Sequence, residues 1–260
     1  MQSSTLPHPG RSLLLALATT MAMGSAAAQE TPPVQAAPAA IKRPFALPPS
    51  ADLHYELQAR HRGFSLKGEA IVTWRAGDGN YAVSAESRVP VLGTITDNRS
   101  SGSVDAFGLA PAEFHEKRLR KDATTTTFDR EAKALRFSES KQVYALKGGE
   151  QDRVSITWQL AAVARAAGER FKAGSEWPFF VAGQRDAERW VFKVVRREKL
   201  RTGLGEVDTV LVARQPPADK KDQVLEIWLA PKHEWYPVKL RYQDGEKEQI
   251  EQTLATVTKR

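Results

Sequence analysis

Hydrophobic and polar residues alternate one by one along most of the chain from about residue 52 onward. Leu53, Tyr55 and Leu57 alternate with polar neighbours, and the same period of two returns over residues 190–194. Glycine-containing clusters such as residues 77–80 separate the alternating runs, as is typical of hairpin turns. The pattern therefore predicts a series of antiparallel strands.

One stretch, residues 153–167, follows a helical period instead. Ile156, Leu160 and Val163 recur at spacings of four and three residues, which places them on one side of a helix. Asp152 stands where a helix N-cap is expected, and Gly168 is a typical C-terminal stop. We therefore predict one inserted helix near residues 153–167.

The predicted elements define an all-β, mainly antiparallel fold class. Roughly ten to twelve strands and a single long helix favour a curved sheet wrapped around that helix. Such a sheet forms a half-open or closed barrel with a hydrophobic concave side. The sequence does not define which strands are neighbours.

The first 28 residues have the composition of a cleavable export signal. Arg11 provides a positive start, residues 13–23 are apolar, and residues 26–28 are alanines that suit a signal peptidase. We predict cleavage after Ala28 and a periplasmic location. Residues 29–50 are rich in Pro and Ala, which predicts a disordered tether before a single β-rich domain over residues 51–260. No segment reaches the about 20 apolar residues that are needed to span a bilayer.

The composition limits the chemistry and the partners. The chain has 38 Lys and Arg residues, 31 Asp and Glu residues and no cysteine. Without cysteine there are no disulfides, thiolate metal ligands or cysteine nucleophiles. The basic residues are spread through runs at 60–62, 117–121 and 196–201, which favours solvated strand faces over a nucleic-acid partner. In the cell envelope the available anions are lipid headgroups, lipopolysaccharide and acidic polysaccharide.

A set of short strings stands out against this background. They are residues 108–111 (GLAP), 128–129 (FD), 152–155 (DRVS), 159–160 (QL), 226–231 (EIWLAP) and 237–240 (PVKL). In this order and spacing they resemble the DUF3108 family of exported bacterial proteins, a domain of unknown function. The resemblance covers residues 52–257 and implies an export signal and an all-β fold, but no catalytic or cofactor-binding residues. The strands from Trp228 to Tyr242 are also similar, more loosely, to the half-open β-barrels of periplasmic lipoprotein carriers.

The chain contains no recognisable catalytic or metal-binding motif. No GxSxG elbow marks a nucleophilic serine. Ser155 is interpreted as a polar residue of the first helical turn beside the Asp152 cap, with a nucleophile as the alternative. The histidines after the export signal show no zinc-type spacing, which favours surface positions: His54, His61, His115 and His233. The sequence therefore predicts no metal, no cofactor and no enzyme.

Several carboxylates and aromatic residues remain as site candidates. The carboxylates could act in pairs only if the fold brings two of them together: Asp97, Asp105, Asp129, Asp152 and Glu226. Glu226 shares a strand face with Trp228, so it lies either near the concave side or in a salt bridge to a neighbouring strand. We predict that Trp190 and Trp228 line an apolar cavity, with Tyr236 and basic residues at its mouth.

These observations predict a non-enzymatic periplasmic protein that binds an apolar or amphipathic ligand, such as a lipid, or a cell-envelope component. The candidate ligand-binding residues are Trp190, Trp228, Glu226 and Tyr236. The alternative is a protein–protein scaffold in envelope assembly that uses an exposed sheet edge or the basic strands. A third hypothesis is a hydrolase of envelope polysaccharide or lipid, with Glu226 or Asp152 as acid or base.

Overall fold

The structure is a computed structural model that describes residues 33–61, 63–90, 92–216, 223–245 and 248–260. The predicted export signal, its cleavage site and the first residues of the predicted tether lie outside the described residues. The side chain of His61 is also outside the description.

Strands make up most of the described chain, together with one α-helix and one short 3-10 helix. The strands are β1 (Val34–Gln35), β2 (Ala51–His61), β3 (Phe64–Gly77), β4 (Asn80–Val89), β5 (Gly93–Asp105), β6 (Gly108–Arg118), β7 (Thr124–Asp129), β8 (Ala134–Phe137), β9 (Ser140–Ala145), β10 (Gln151–Asp152), β11 (Glu176–Ala182), β12 (Ala187–Thr202), β13 (Gly205–Arg214), β14 (Gln223–Ala230), β15 (Tyr236–Asp244) and β16 (Glu248–Lys259). The helix α1 (Ser155–Ala167) is followed directly by the 3-10 turn Gly168–Arg170.

All sixteen strands belong to one sheet, in the order β1-β9-β8-β7-β6-β5-β4-β3-β2-β16-β15-β14-β13-β12-β11-β10. Neighbouring strands are antiparallel except at the two edges, where β1 pairs parallel with β9 and β10 pairs parallel with β11. Near the middle of the sheet β2 pairs with β16, in a register that runs from His61↔Glu248 to Ala51↔Lys259. This pair joins two hairpin series that are distant in sequence.

The sheet curves so that its two halves meet. Thr126 of β7 donates a hydrogen bond from Oγ1 to the carbonyl of Gly183, which follows β11, at 2.8 Å. Nearby, the rings of Tyr144 and Phe180 lie edge to face with centroids 5.6 Å apart. In the described part of the chain the edge strands β1 and β10 do not pair with one another, so the sheet is not closed into a barrel.

Helix α1 fills the concave side, which we call the inner face. Its apolar residues Ile156, Leu160 and Val163 are almost fully buried and pack against β11–β14. On the other side of the helix, Trp158 stacks on Trp74 of β3 with ring centroids 4.3 Å apart. Because α1 buries apolar side chains all around its axis, it forms the centre of the core.

The predicted all-β curved sheet with one inserted helix is confirmed. Helix α1 lies within the predicted range of residues 153–167, and the turn after β3 is formed by Asp78 and Gly79, both with positive φ. The described chain has sixteen strands where ten to twelve are predicted. Two of the additional strands are β1 and β10, in which two residues are too few to carry a periodic signal.

The described part of the predicted tether packs on the domain. The Trp74 indole donates to the carbonyl of Pro48 at 3.0 Å, and Arg165 of α1 donates to the carbonyl of Leu47 at 2.7 Å. The backbone N–H of Ala46 bonds to the carbonyl of Ala162 at 3.0 Å. The structure thus differs from the expectation of a disordered tether up to residue 50. Side chains of the core and of the helix donate hydrogen bonds to backbone carbonyls of this segment, and amino-acid composition does not reveal such partners.

Candidate functional site

The N-terminus of α1 is held by a buried carboxylate. One oxygen of Asp152 accepts hydrogen bonds from the backbone N–H groups of Val154 and Ser155, both at 2.8 Å. The hydroxyl of Ser100 donates to the other oxygen, and Ser100 is also 2.8 Å from the phenol oxygen of Tyr81. Burial raises the pKa of Asp152, while the hydrogen bonds from Ser100 and the helix backbone act in the opposite direction. Asp152 therefore holds the start of α1 through backbone N–H groups. The N-cap position that the sequence assigned to Asp152 is occupied by Val154, which makes no side-chain cap hydrogen bond.

Ser155 belongs to the same buried network. Its hydroxyl accepts a hydrogen bond from the backbone N–H of Asp152 at 2.9 Å, and the residue is fully buried. A substrate therefore has no approach to either side chain without opening the core. The arrangement supports the interpretation of Ser155 as a residue of the first turn.

Gln159 ties the middle of α1 to the start of β6. Its Oε1 accepts from the backbone N–H of Leu109 at 2.8 Å, and its Nε2 donates to the carbonyl of Phe107 at 2.8 Å. Gly108 between them has φ +108°, and a Cβ there would lie 2.3 Å from Gln159 Oε1. Two of the short strings noted in the sequence, residues 108–111 and 159–160, are therefore in contact, and Gly108 leaves the space that the Gln159 side chain occupies.

Beyond α1, the inner face continues as a partly open row of side chains. Leu225, Tyr242 and Ile250 lie directly opposite one another on β14, β15 and β16, and Ala59 of β2 follows in the same register. All four are half-buried. Strand alternation places Leu225 on the same face as Ile227, which packs with α1. This row continues the apolar core outward to one end of the sheet.

A buried arginine adjoins the row. Arg214, the last residue of β13, stacks over the indole of Trp190 with its Cζ 4.0 Å from the ring centroid. Its Nη2 donates to Glu188 Oε1 at 2.8 Å, and its side chain is only 8% exposed. Its Nε is buried and has no partner among the described residues. Burial lowers the pKa of Arg214, whereas the charge of Glu188 raises it.

Arg153 completes this region from the loop before α1. Its guanidinium lies against the backbone of Gly183, where a Cβ would be 2.7 Å from Arg153 Nη2. The side chain is exposed and makes no ion pair with a described residue. Burial, together with Asp244 and Glu248, raises the pKa of Tyr242, while the nearby charges of Arg153 and Arg118 lower it. We call the residues Arg153, Trp190, Arg214, Leu225, Tyr242 and Ile250 the concave mouth.

The structure separates the residues that the sequence assigned to one cavity. Trp190 lies on the inner face, but Trp228 lies on the opposite, outer face, because Ile227 and Leu229 take the positions toward α1. The indole N–H of Trp228 donates to Glu198 Oε1 at 2.7 Å. Trp190 and Trp228 therefore do not line one cavity, which corrects that prediction.

Glu226 and Tyr236 are also outside the concave mouth. Glu226 shares the outer face with Trp228 and forms an ion pair with Arg241 on the neighbouring strand. Tyr236 is 1% exposed, and its hydroxyl donates to the carbonyl of Pro49 at 2.9 Å. Burial raises the pKa of Tyr236 to about 12. Tyr236 therefore acts in the packing of the N-terminal segment and not at a mouth.

The other candidate carboxylates have local partners. Asp97 pairs with Arg99 at 2.7 Å, Asp105 accepts from the backbone N–H of Phe107 at 2.7 Å, and Asp129 accepts from that of Ala132 at 2.8 Å. Among the histidines, His54 is exposed, His233 is half-buried, and His115 contacts Glu113 at 2.9 Å. Within the described ranges, no group of three His, Asp or Glu residues is placed to hold a metal ion.

Of the six residues of the concave mouth, the sequence analysis identified Trp190 and missed the other five: Arg153, Arg214, Leu225, Tyr242 and Ile250. The position of Arg214 could have been predicted from the sequence. Alternate residues of a strand share a face, so Arg214 lies on the same face as the buried Val210 and Val212. An arginine at the end of an inward-facing series is unusual for a core position. For Arg153 no local pattern points inward, since it lies in the turn before α1.

The fold and the concave mouth define an all-β protein whose curved, open sheet encloses one helix. The chain belongs to the family described as "Protein of unknown function (DUF3108)", whose model matches residues 52–247. No curated protein matches the chain. Of the helices that the structure describes, none is long and apolar enough to cross a membrane.

Three solved structures are similar to the chain at low sequence identity. One is a protein provisionally described as exported, with a YmcC-like fold, from Bacteroides fragilis (9% identity, 85% of this chain and 100% of that chain, TM-score 0.32). Another is provisionally described as a lipoprotein, from Parabacteroides distasonis (11% identity, 84% and 99%, TM-score 0.33). A third is provisionally described as an outer membrane lipoprotein-sorting protein domain, from Vibrio parahaemolyticus (8% identity, 82% and 86%, TM-score 0.28).

Proposed function

We propose that the protein is an exported, non-enzymatic envelope protein that binds an amphipathic molecule at the concave mouth. The observation that carries this proposal is the inner row of Leu225, Tyr242 and Ile250, which continues the core but stays half-exposed. A row of apolar side chains open at one end suits an acyl chain. The guanidinium groups of Arg153 and Arg214 beside it suit the polar head of the same molecule.

The export part of the proposal rests on the sequence. The positive residue, the short apolar run and the alanines within residues 1–28 have the order of a signal peptide. Acyl-chain amphiphiles are abundant in the envelope to which such a signal directs a protein. Location and ligand class therefore support each other.

The alternatives have weaker support. A scaffold that binds partners by strand addition needs a free edge, and the edge strands β1 and β10 are each two residues long. A hydrolase needs an acid or base beside its substrate. Asp152 is fully buried under α1, and Glu226 is paired with Arg241 on the outer face, so neither carboxylate is open to a ligand in the concave mouth.

A pair of neighbouring residues on β14 provides the test. Leu225 is on the inner face and Val224 is on the outer face, and both are half-buried. Binding of lauric acid and of its neutral ester monolaurin is measured by isothermal titration calorimetry. We expect Leu225→Asn to weaken binding about tenfold, because it removes apolar contact with the chain, whereas Val224→Asn leaves it unchanged. Thermal unfolding of both variants checks that they are folded.

The ester controls for charge. Tighter binding of lauric acid than of monolaurin supports a contact between the anionic head and the arginines, and equal binding supports recognition of the chain alone. No binding of either compound by the unaltered protein contradicts the proposal. An equal loss in Leu225→Asn and Val224→Asn also contradicts it, since the effect then does not depend on the face.

A further inference from the structure

Three large apolar side chains lie exposed at one end of the sheet. Phe64, Leu92 and Leu119 are 75%, 42% and 38% exposed. They lie at the turns β2–β3, β4–β5 and β6–β7, Phe64 as the first residue of β3 and the two leucines within their turns. In an antiparallel series these alternate turns lie at the same end. Leu92 and Leu119 are fixed in their turns by backbone hydrogen bonds to Val89 at 2.9 Å and to Ile95 at 2.8 Å. We call these three residues the apolar tips.

Exposed basic side chains flank two of the three apolar tips, Leu119 and Phe64. Leu119 is flanked in sequence by Lys117, Arg118, Arg120 and Lys121, all exposed, with Asp122 as the acidic neighbour. Arg118 pairs with the buried Glu116, so its charge is partly compensated, while Arg120 has positive φ at the tip of the turn. On the β2–β3 hairpin, Arg60 and Lys67 are exposed near Phe64. The same end of the sheet is therefore both apolar and positively charged.

We propose that this end of the protein docks on a lipid bilayer that contains anionic lipids. The apolar tips insert between the headgroups, and the flanking lysines and arginines bind the lipid phosphates. The tips are separate points on three different turns and do not form one contiguous patch. Separate apolar side chains can each insert into a fluid bilayer, whereas binding to a protein partner normally needs a packed cluster at the centre of the interface.

The position of the apolar tips relative to the concave mouth fits this role. Ala59 and Leu66 pair on the β2–β3 hairpin close to Phe64, and Ala59 also faces Ile250 of the concave mouth. The concave mouth therefore opens at the end of the sheet that carries the apolar tips. Docking at this end brings the mouth to the membrane surface, but the docking itself does not require a bound ligand.

Sedimentation with lipid vesicles tests the proposal. The purified protein is mixed with vesicles of phosphatidylcholine alone or of equal parts phosphatidylcholine and phosphatidylglycerol. We expect binding to the anionic vesicles that falls at high salt. The triple variant Phe64→Ser, Leu92→Ser, Leu119→Ser should bind at least about tenfold more weakly. The double variant Arg120→Gln, Lys121→Gln should lose about fivefold per charge.

A matched control uses exposed apolar residues elsewhere. Val34, Ile41 and Val195 are 59%, 49% and 38% exposed, and Val34 and Val195 lie within strands. The triple variant Val34→Ser, Ile41→Ser, Val195→Ser should sediment like the unaltered protein. Equal vesicle binding by the two triple variants overturns the proposal, as does equal binding to neutral and anionic vesicles. Lauric acid binding by the tip variant should be unchanged, which separates this proposal from the ligand site.

Discussion

Trp190 and Trp228 are both almost completely buried, and each lies beside positive charges and a glutamate that accepts its indole N–H. On the outer face, Lys239 and Arg241 lie over Trp228 at 5.3 and 5.7 Å from the ring. Each cation also has its own acidic partner there, Glu251 for Lys239 and Glu226 for Arg241. The outer cluster is therefore a balanced set of pairs.

The inner cluster is built from the same residue types but is left incomplete. Arg214 stacks on Trp190 and pairs with Glu188, yet Arg153 beside it has no ion pair among the residues that the structure describes. Half-exposed apolar residues continue next to it, whereas the outer Trp228 is enclosed. The inner cluster therefore supports the proposed ligand site, because one of its charges has no ion-pair partner among the described residues, and the outer cluster gives no such support.

The largest expected effect separates packing from binding. Trp228→Ala should lower the free energy of unfolding by about 3 to 5 kcal/mol, because it removes a large buried side chain. Urea unfolding followed by circular dichroism measures this change. The lauric acid affinity of the folded variant should be unaltered. A loss of that affinity in a folded Trp228→Ala protein would falsify the assignment of Trp228 to packing alone.

The inner face depends on α1, and Asp152 holds the helix there. Asp152→Asn should lower the free energy of unfolding by about 2 kcal/mol near neutral pH, because an amide cannot accept from the backbone and from Ser100 in the same way. Ser155 remains present in this variant, so the change isolates the carboxylate. Urea unfolding at a series of pH values measures the effect.

The pH dependence of this difference has a definite sign. Burial raises the pKa of Asp152 above its ordinary value of 3.8, so the folded protein holds this proton more tightly than the unfolded chain does. The resulting contribution to the free energy of unfolding is completely present below pH 3.8. That contribution is lost as the pH rises from 3.8 to the raised pKa of the folded protein. The stability advantage of the unaltered protein over Asp152→Asn should therefore shrink as the pH rises through this interval. A growing advantage contradicts a raised pKa.

The smallest expected effect compares the two arginines. Arg214→Gln should weaken lauric acid binding about tenfold, since it removes a charged hydrogen-bond donor from the concave mouth. Arg241→Gln removes the matching charge on the outer face and should leave the affinity unchanged. Calorimetric titration of both variants provides the comparison. Equal affinities for the two variants argue that the headgroup does not contact Arg214.

The sequence was sufficient to predict the strands and the helix, but not which face of each strand points toward the core. The period of two identified the strands, and helical spacing identified α1 within two residues of its start. Alternation also showed that Glu226 and Trp228 share a face. It does not show which face is inside, because that depends on the pairing of β13 with β14, where Val212↔Ile227 and Val210↔Leu229 turn inward together.

The concave mouth could not be predicted for a related reason. Its residues come from β12–β16 and from the turn before α1, and local periodicity carries no information on how these elements meet. Tyr242 and Ile250 face each other across a hairpin, but the effect of the Arg153 charge on Tyr242 depends on the curvature of the whole sheet. The family resemblance located the strings that hold α1, such as Gly108 and Gln159, which are structural.

The pairing of β2 with β16 has a consequence for how the protein folds. β2 begins at Ala51, and its partner on one side, β3, follows at once, but its other partner ends at Lys259. Chains dominated by such distant pairings fold slowly, because a large loop must close before the contacts form. The pairing of β2 with β16 therefore requires almost the whole sheet-forming part of the chain to close as one loop before the two hairpin series form one sheet.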